Sequence, residues 1–201
     1  SKLPTAAMLR SALESKLFEC RDSGTPIDSI TFSGDGEPTI NPDFPEIIDI
    51  TLELRDRFYP SALVSVLSNA TMIGKDRVFE ALRKVDNPIL KLDAPTDELV
   101  AKINQPQGNY HVSEVVANLM RFEGDFVLQT MFLRSPDFDS SSPAQLAAWM
   151  DIVRKVRPRE IMVYTLDREA PAANLEKFTV EEMKELVRPL VEEGFTVQVS
   201  G

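Results

Sequence analysis

The sequence predicts an α/β fold, a partial, open (β/α) barrel of about six parallel strands, with residues 1–201 forming a single domain. Three observations carry this. Six short runs rich in β-branched and aromatic residues, at 29–33, 63–67, 89–93, 126–133, 160–166 and 195–199, start 26 to 37 residues apart, which is the spacing of βα units. Segments with apolar residues at helical intervals fill the gaps. The first run ends in a glycine turn, Ser33-Gly34-Asp35-Gly36-Glu37-Pro38, which sets two carboxylates just past a strand's carboxyl end, where α/β proteins place ligands.

Each element has its own local warrant. Lys2-Leu3-Pro4-Thr5 leads into a helix over 4–19 with Thr5 as N-cap, and Met8, Leu9, Leu13, Leu17, Phe18 and Cys20 follow its pattern. Cys20 reads there as a small buried apolar residue. Asn41-Pro42-Asp43 announces a helix over 44–58 carrying Ile47, Ile48, Ile50, Thr51 and Leu54. A short helix at 76–85 stops before Asp86-Asn87-Pro88. Ser113 caps a helix over 113–122, and Pro143 opens another over 143–156 with Leu146, Trp149, Met150 and Val153 inward. Thr179-Val-Glu-Glu is a capping box for a helix over 179–193, which closes at Gly194. Residues 94–109 and 135–143 break the rhythm as polar, proline-containing loops. His111 follows Gly108-Asn109-Tyr110 in a polar loop and reads as a solvated residue, and neither loop is long enough to be a domain linker.

Composition narrows the function classes. Of 201 residues, 43% are hydrophobic and 27% charged, ample for a globular core. No apolar run approaches the roughly 20 residues that span a bilayer, and no signal peptide is visible. A single cysteine excludes an internal disulfide, in keeping with a cytoplasmic protein. The formal net charge of −10 weighs against non-specific nucleic-acid binding, which requires neutralising phosphates. The basic stretch Arg154, Lys155, Arg157 and Arg159 reads as the solvated end of a helix.

A parallel barrel would gather Asp35 and Glu37, Ser68 and Asn69, Lys91 and Asp93, Gln129 and Arg134, and Tyr164 and Asp167 at the ends of successive strands. Alternation puts Lys91 and Asp93 on one face. A lysine in a buried strand needs a partner; pairing with Asp93 and a ligand role are both open. The turn 33–38 equally admits two readings, a ligand-binding loop or an ordinary βα turn.

That turn resembles the glycine–glycine–glutamate turn after the second strand of the radical S-adenosylmethionine (SAM) superfamily, and its wording is similar to the subgroup related to wybutosine synthesis. The resemblance runs on in order through Val66-Leu67-Ser68-Asn69-Ala70-Thr71, Ile89-Leu90-Lys91-Leu92-Asp93-Ala94, Gln129-Thr130-Met131-Phe132-Leu133-Arg134 and Val163-Tyr164-Thr165-Leu166-Asp167-Arg168-Glu169-Ala170-Pro171. It implies a SAM site of Gly34, Asp35, Gly36, Glu37, Ser68, Asn69, Lys91, Asp93, Arg134 and Tyr164. In it Glu37 would contact the SAM amino group, and Ser68, Asn69, Lys91 or Asp93 its ribose or carboxylate. Arg134 would be a ligand contact or the anchor of a salt bridge. The cofactors implied are SAM and a [4Fe–4S] cluster, with an electron donor as partner. The tRNA-modifying relatives point to tRNA as substrate, against which the net charge weighs.

One departure stands out. The superfamily holds its cluster by a Cys-x3-Cys-x2-Cys loop, whereas this chain has only Cys20. It opens Ser1-Lys2 without an initiator methionine, and the expectation is a domain downstream of that loop. The domain would lack the family's first strand, bind no cofactor by itself, and self-associate through the exposed strand at 29–33 or cover it with the first helix. Two other classes remain: a cluster-free binding module, and a carboxylate–metal barrel enzyme using Asp35, Glu37 and Asp93 with Mg²⁺ or Mn²⁺.

Overall fold

The structure, a computed structural model, describes residues 3–34, 36–103, 108–169 and 173–201. Six strands form one parallel sheet in the order β1 (Ser29–Phe32), β2 (Leu63–Ser68), β3 (Asn87–Lys91), β4 (Val127–Phe132), β7 (Glu160–Thr165) and β8 (Val197–Ser200). The short β5 (Arg134–Ser135) and β6 (Phe138–Asp139) pair antiparallel beside it. The chain divides into two compact units, Ser1–Ile89 and Leu90–Gly201.

In the first unit, β1 and β2 pair in register Ser29–Leu63 to Phe32–Val66. Helix α1 (Ala6–Asp22) is capped by Thr5, whose hydroxyl accepts the Met8 N–H; such a cap contributes about 1 kcal/mol. It packs Ala6 and Leu17 on Ile47, Ile50, Leu54 and Phe58 of α2 (Phe44–Phe58), with Ile30 and Phe32 of β1 beneath. The same helix leaves Met8 and Phe18 exposed, and Cys20 is half-exposed rather than buried. Its position lies on the flank of the apolar stripe, so the neighbouring helix does not cover it. Helix α3 (Asp76–Lys84) follows β2 and buries Val78, Ala81 and Leu82. Behind it the Asp86 carboxylate accepts from the Val64 N–H and from Arg55, each at 2.8 Å. That locks the strand's start to α2.

In the second unit, β4 pairs β7 in register Val127–Glu160 to Phe132–Thr165, and β7 pairs β8. Helix α6 (Pro143–Val156) turns Trp149, Met150, Val153 and Val156 inward, and the Trp149 ring meets Phe132 edge-on at 5.2 Å. Two strand threonines bond across the core. Thr130 donates to the Leu92 carbonyl and accepts from Trp149 Nε1, and Thr165 donates to the Phe132 carbonyl and accepts from the Phe178 N–H. Helix α7 (Val180–Glu192) is capped as expected, by Thr179 accepting the Glu182 N–H.

Three local expectations are corrected. The segment 94–109 contains a helix, α4 (Asp97–Ile103), capped by Thr96, which accepts the Leu99 N–H. Residues 135–143 include the β5–β6 hairpin. Ser113 is not a cap, because α5 (Val112–Met120) begins one residue earlier, and Asp97 supplies the acceptor for the Val112 N–H at 2.6 Å. In the last case a side chain distant in sequence, Asp97, replaces the local cap.

Candidate functional site

The first cluster lies wholly in the first unit. Gly34 and Gly36 adopt φ of 113° and 118°, which side-chain-bearing residues avoid, so the glycines turn the chain sharply after β1. Asp35 lies outside the described residues. The turn delivers Glu37 to the end of β2, where its carboxylate is surrounded by donors. Oε1 accepts from the Asn69 N–H at 2.7 Å, and Oε2 accepts from Ser68 Oγ at 2.8 Å, from the Thr39 N–H at 3.2 Å and from the Thr39 hydroxyl. Glu37 also caps the single-turn helix Pro38–Ile40. The structure therefore brings Glu37, Ser68 and Asn69 together, yet joins them to one another rather than leaving three separate ligand contacts. The turn after β2 is itself bent back by Ala70, a non-glycine residue at φ 64°. That conformation costs about 1–2 kcal/mol. It is held by Ala70 N–H donating to Ser68 Oγ and by the Thr71 N–H and hydroxyl donating to Asn69 Oδ1.

The second cluster lies wholly in the second unit. Lys91 and Asp93 face the same side, as alternation requires, with Lys91 Nζ 3.1 Å from Asp93 Oδ2. Asp93 Oδ1 accepts from the Met131 N–H at 2.9 Å. The side chain of Asp93 is 2% exposed, and its Oδ2 has no hydrogen-bond partner among the described residues. The ammonium is thus close enough to attract it but not aligned to bond it. Burial pushes the Asp93 carboxyl up, and Lys91 and the Met131 N–H only partly offset this. Burial alone would lower Lys91, but Asp93 and the Tyr164 hydroxyl together raise it. Tyr164 is raised by burial and by Asp93.

A fourth member was not anticipated. Tyr110 is half-buried, and its phenol is pushed up to about 12 by burial, with the fields of Asp93 and Asp97 adding. The segment that carries it is fastened by Asp97, which takes the Val112 N–H and pairs with His111 Nδ1 at 3.0 Å. His111 is exposed but not merely solvated, since Asp97 raises it. A tyrosine beside glycine in a polar stretch gives no signal of burial in the sequence alone.

Arg134 does not join this group. It stacks on the Phe178 ring at 4.4 Å and stands 3.7–3.9 Å from Asp139, Glu176 and Glu182. Gln129 contributes its carbonyl, which accepts the Leu92 N–H. Among the described residues no three His, Cys, Asp or Glu side chains gather as a metal site. Asp35, one of the three residues of the carboxylate–metal reading, lies outside the described residues.

No protein-family model matches the chain. Its sequence is similar to the UPF0026 protein of Synechocystis sp., 26% identical over 173 residues, 84% of this chain and 59% of the relative. It is also similar to the UPF0026 protein of Helicobacter pylori strain J99, 23% identical over 148 residues, 72% and 46%. The chain spans about half the length of these curated relatives. Among solved structures, Streptococcus suis SuiB bound to S-adenosylmethionine matches at TM-score 0.69 and 16% identity, covering 100% of this chain and 44% of SuiB. A domain of pyruvate-formate lyase-activating enzyme from Bacteroides vulgatus matches at 0.64 and 15%, covering 86% and 98%. Archaeal TYW1 matches at 0.56 and 14%, covering 93% and 60%. The chain has their fold. It is the α/β fold of radical SAM enzymes, with a parallel six-stranded sheet.

Proposed function

We propose that the chain is the SAM-binding part of a radical SAM enzyme of the wybutosine-related type, whose cluster ligands lie elsewhere in a longer protein. The observation that carries this is Asp93 Oδ2, an acceptor buried beside Lys91 without a hydrogen bond of its own. Buried polar atoms are nearly always bonded; Lys91 Nζ at 3.1 Å already pairs with this oxygen, and a ligand hydroxyl or ammonium would share it with the lysine. The residues present therefore suit SAM. They do not suit a [4Fe–4S] cluster, which needs several thiolates where the chain has Cys20 alone.

Bound SAM would supply the radical chemistry; the protein's own side chains do the holding. Asp93 takes a donor group, fixed by the Met131 N–H. Lys91 balances the carboxylate and, steered by Tyr164, is placed to meet an anionic group. Tyr110 and Tyr164, both kept protonated by burial, limit water around the pair. In the first unit Glu37 clamps the turn after β2. SuiB, which shares the fold, is described bound to a precursor peptide; the partner of the longer protein would be an electron donor.

The test is formation of 5′-deoxyadenosine by the longer protein after anaerobic iron–sulfide reconstitution. Asp93→Asn should weaken SAM binding by about tenfold, equivalent to about 1.4 kcal/mol. Unchanged affinity in Asp93→Asn would overturn the assignment of the site, and a longer protein that makes no 5′-deoxyadenosine would overturn the activity.

A further inference from the structure

The loop that carries Tyr110 is tied down by an ionisable pair that a helix cap alone does not require. Helix α5 needs an acceptor for its Val112 N–H, and Asp97 Oδ1 supplies it at 2.6 Å. The other oxygen of the same carboxylate meets His111 Nδ1 at 3.0 Å. We propose that the Asp97–His111 pair is a pH-responsive strap that seats Tyr110 toward Asp93, so that the Lys91–Asp93 site takes its ligand more tightly at pH 6 than at pH 8. The inference rests on the reading of Lys91 and Asp93 as a SAM site and adds the regulation of that site.

Both ends of the strap are fixed. Asp97 opens α4 just after Asp93. That helix is held by Thr96, which accepts the Leu99 N–H, and by Lys102, which donates to the Asp137 carbonyl at 3.1 Å. On the other side, the His111 carbonyl accepts the Glu114 and Val115 N–H groups, and Val112, Val115, Val116 and Leu119 of α5 are buried. Tyr110 is the next residue outward. It is half-buried while Asn109 and His111 on either side are exposed, and the field of Asp93 reaches its phenol. His111 is the chain's single histidine, and so the link of the strap whose charge changes near neutrality.

The charged groups acting on His111 are Asp97 from α4 and Glu114 from α5. The hydrogen bond to Asp97 is the largest influence and holds the imidazole above its ordinary 6.5, against the effect of burial. The Val112 N–H and His111 hold Asp97 below its ordinary 3.8. The contribution of His111 is complete below pH 6.5 and is lost as pH rises through its raised value. That of Asp97 is complete above pH 3.8 and is lost as pH falls through its lowered value. The strap is therefore whole at pH 6 and weakened at pH 8. Both side chains are about half exposed, so the change is a few-fold rather than orders of magnitude. Lys91, Tyr110 and Tyr164 stay protonated throughout this window. Asp93, pushed up by burial, is the group whose titration must be told apart from that of His111.

The test is hydrogen exchange read by NMR at the Met131 N–H, which donates to Asp93 Oδ1. In the 201-residue chain without ligand, its protection relative to the unfolded chain should fall about threefold between pH 6 and pH 8, with the midpoint of the His111 ring signals. His111→Gln should remove this step, and so should Asp97→Asn, which keeps an acceptor for Val112. A step that persists in His111→Gln would belong to Asp93 and overturn the strap, as would level protection in the parent. In the longer protein, SAM affinity should be about threefold weaker at pH 8 than at pH 6, and equal at the two in His111→Gln. Equal affinity in the parent would overturn the regulation. SAM binding at neither pH would overturn the SAM assignment, while the ligand-free exchange would still decide the strap.

Discussion

Glu37 Oε1 accepts the backbone N–H of Asn69 at 2.7 Å, joining the turn after β1 to the turn after β2 across 32 residues of sequence. With Ser68 and Thr39 on the other oxygen, the carboxylate acts as a clamp before it acts on any ligand. A charged group with several donors is expensive to remove, because the donors are left unmatched.

Glu37→Ala should therefore destabilise the 201-residue chain by about 1.5–3 kcal/mol with no ligand present. Urea unfolding monitored by circular dichroism checks this. A variant as stable as the parent would show that the clamp contributes nothing and that Glu37 matters only to a ligand.

Alkaline stability should respond to the second cluster. Lys91, Tyr110 and Tyr164 all have folded-state values above their ordinary ones, so the folded chain holds protons that the unfolded chain releases. The stability they contribute is fully present below pH 10 and is lost as pH rises through their folded values, about 12 for Tyr110. Tyr110→Phe should flatten the fall in stability between pH 10 and 12. An identical slope in the variant would show that the phenol is not held as described.

Asp93 runs the other way from an ordinary carboxylate. Its folded value is raised chiefly by burial, so protonated Asp93 favours the fold. That contribution is present below the ordinary carboxylate range and disappears as pH rises through the raised value. Asp93→Asn, isosteric and neutral, should be at least as stable as the parent at pH 7. A marked loss of stability there would mean that the ion pair with Lys91 outweighs the cost of burying the charge.

The chain as it stands should take up no [4Fe–4S] cluster on anaerobic incubation with iron and sulfide, since Cys20 is its one thiol. A broad visible charge-transfer absorption in the reconstituted protein, abolished by Cys20→Ser, would contradict this.

Strand β1 ends the sheet order and pairs only with β2 among the described residues. Helix α1 packs on its face through Ile30 and Phe32. We expect concentration-dependent self-association through this edge, reduced by Thr31→Lys, which adds a charge at an exposed position without touching the core. Light scattering from a strict monomer at every concentration would end the idea.

The sequence by itself determined the strands, most of the helices and their caps, because these depend on interactions within a few residues. The strand at 160–166, the cap at Thr179 and the glycines at 34 and 36 are local demands of the backbone, and the structure meets each where it was expected. Only the tertiary structure decided which groups meet. It gave the Glu37 carboxylate to Asn69, made α4 and Asp97 the anchor of the loop before α5, brought Tyr110 toward Asp93, and set Arg134 on Phe178 away from Lys91. Hydrogen bonds and charges act over a few ångströms of space, and the residues that share them lie up to 48 positions apart along the chain, as Arg134 and Glu182 do, a distance over which no local pattern carries information.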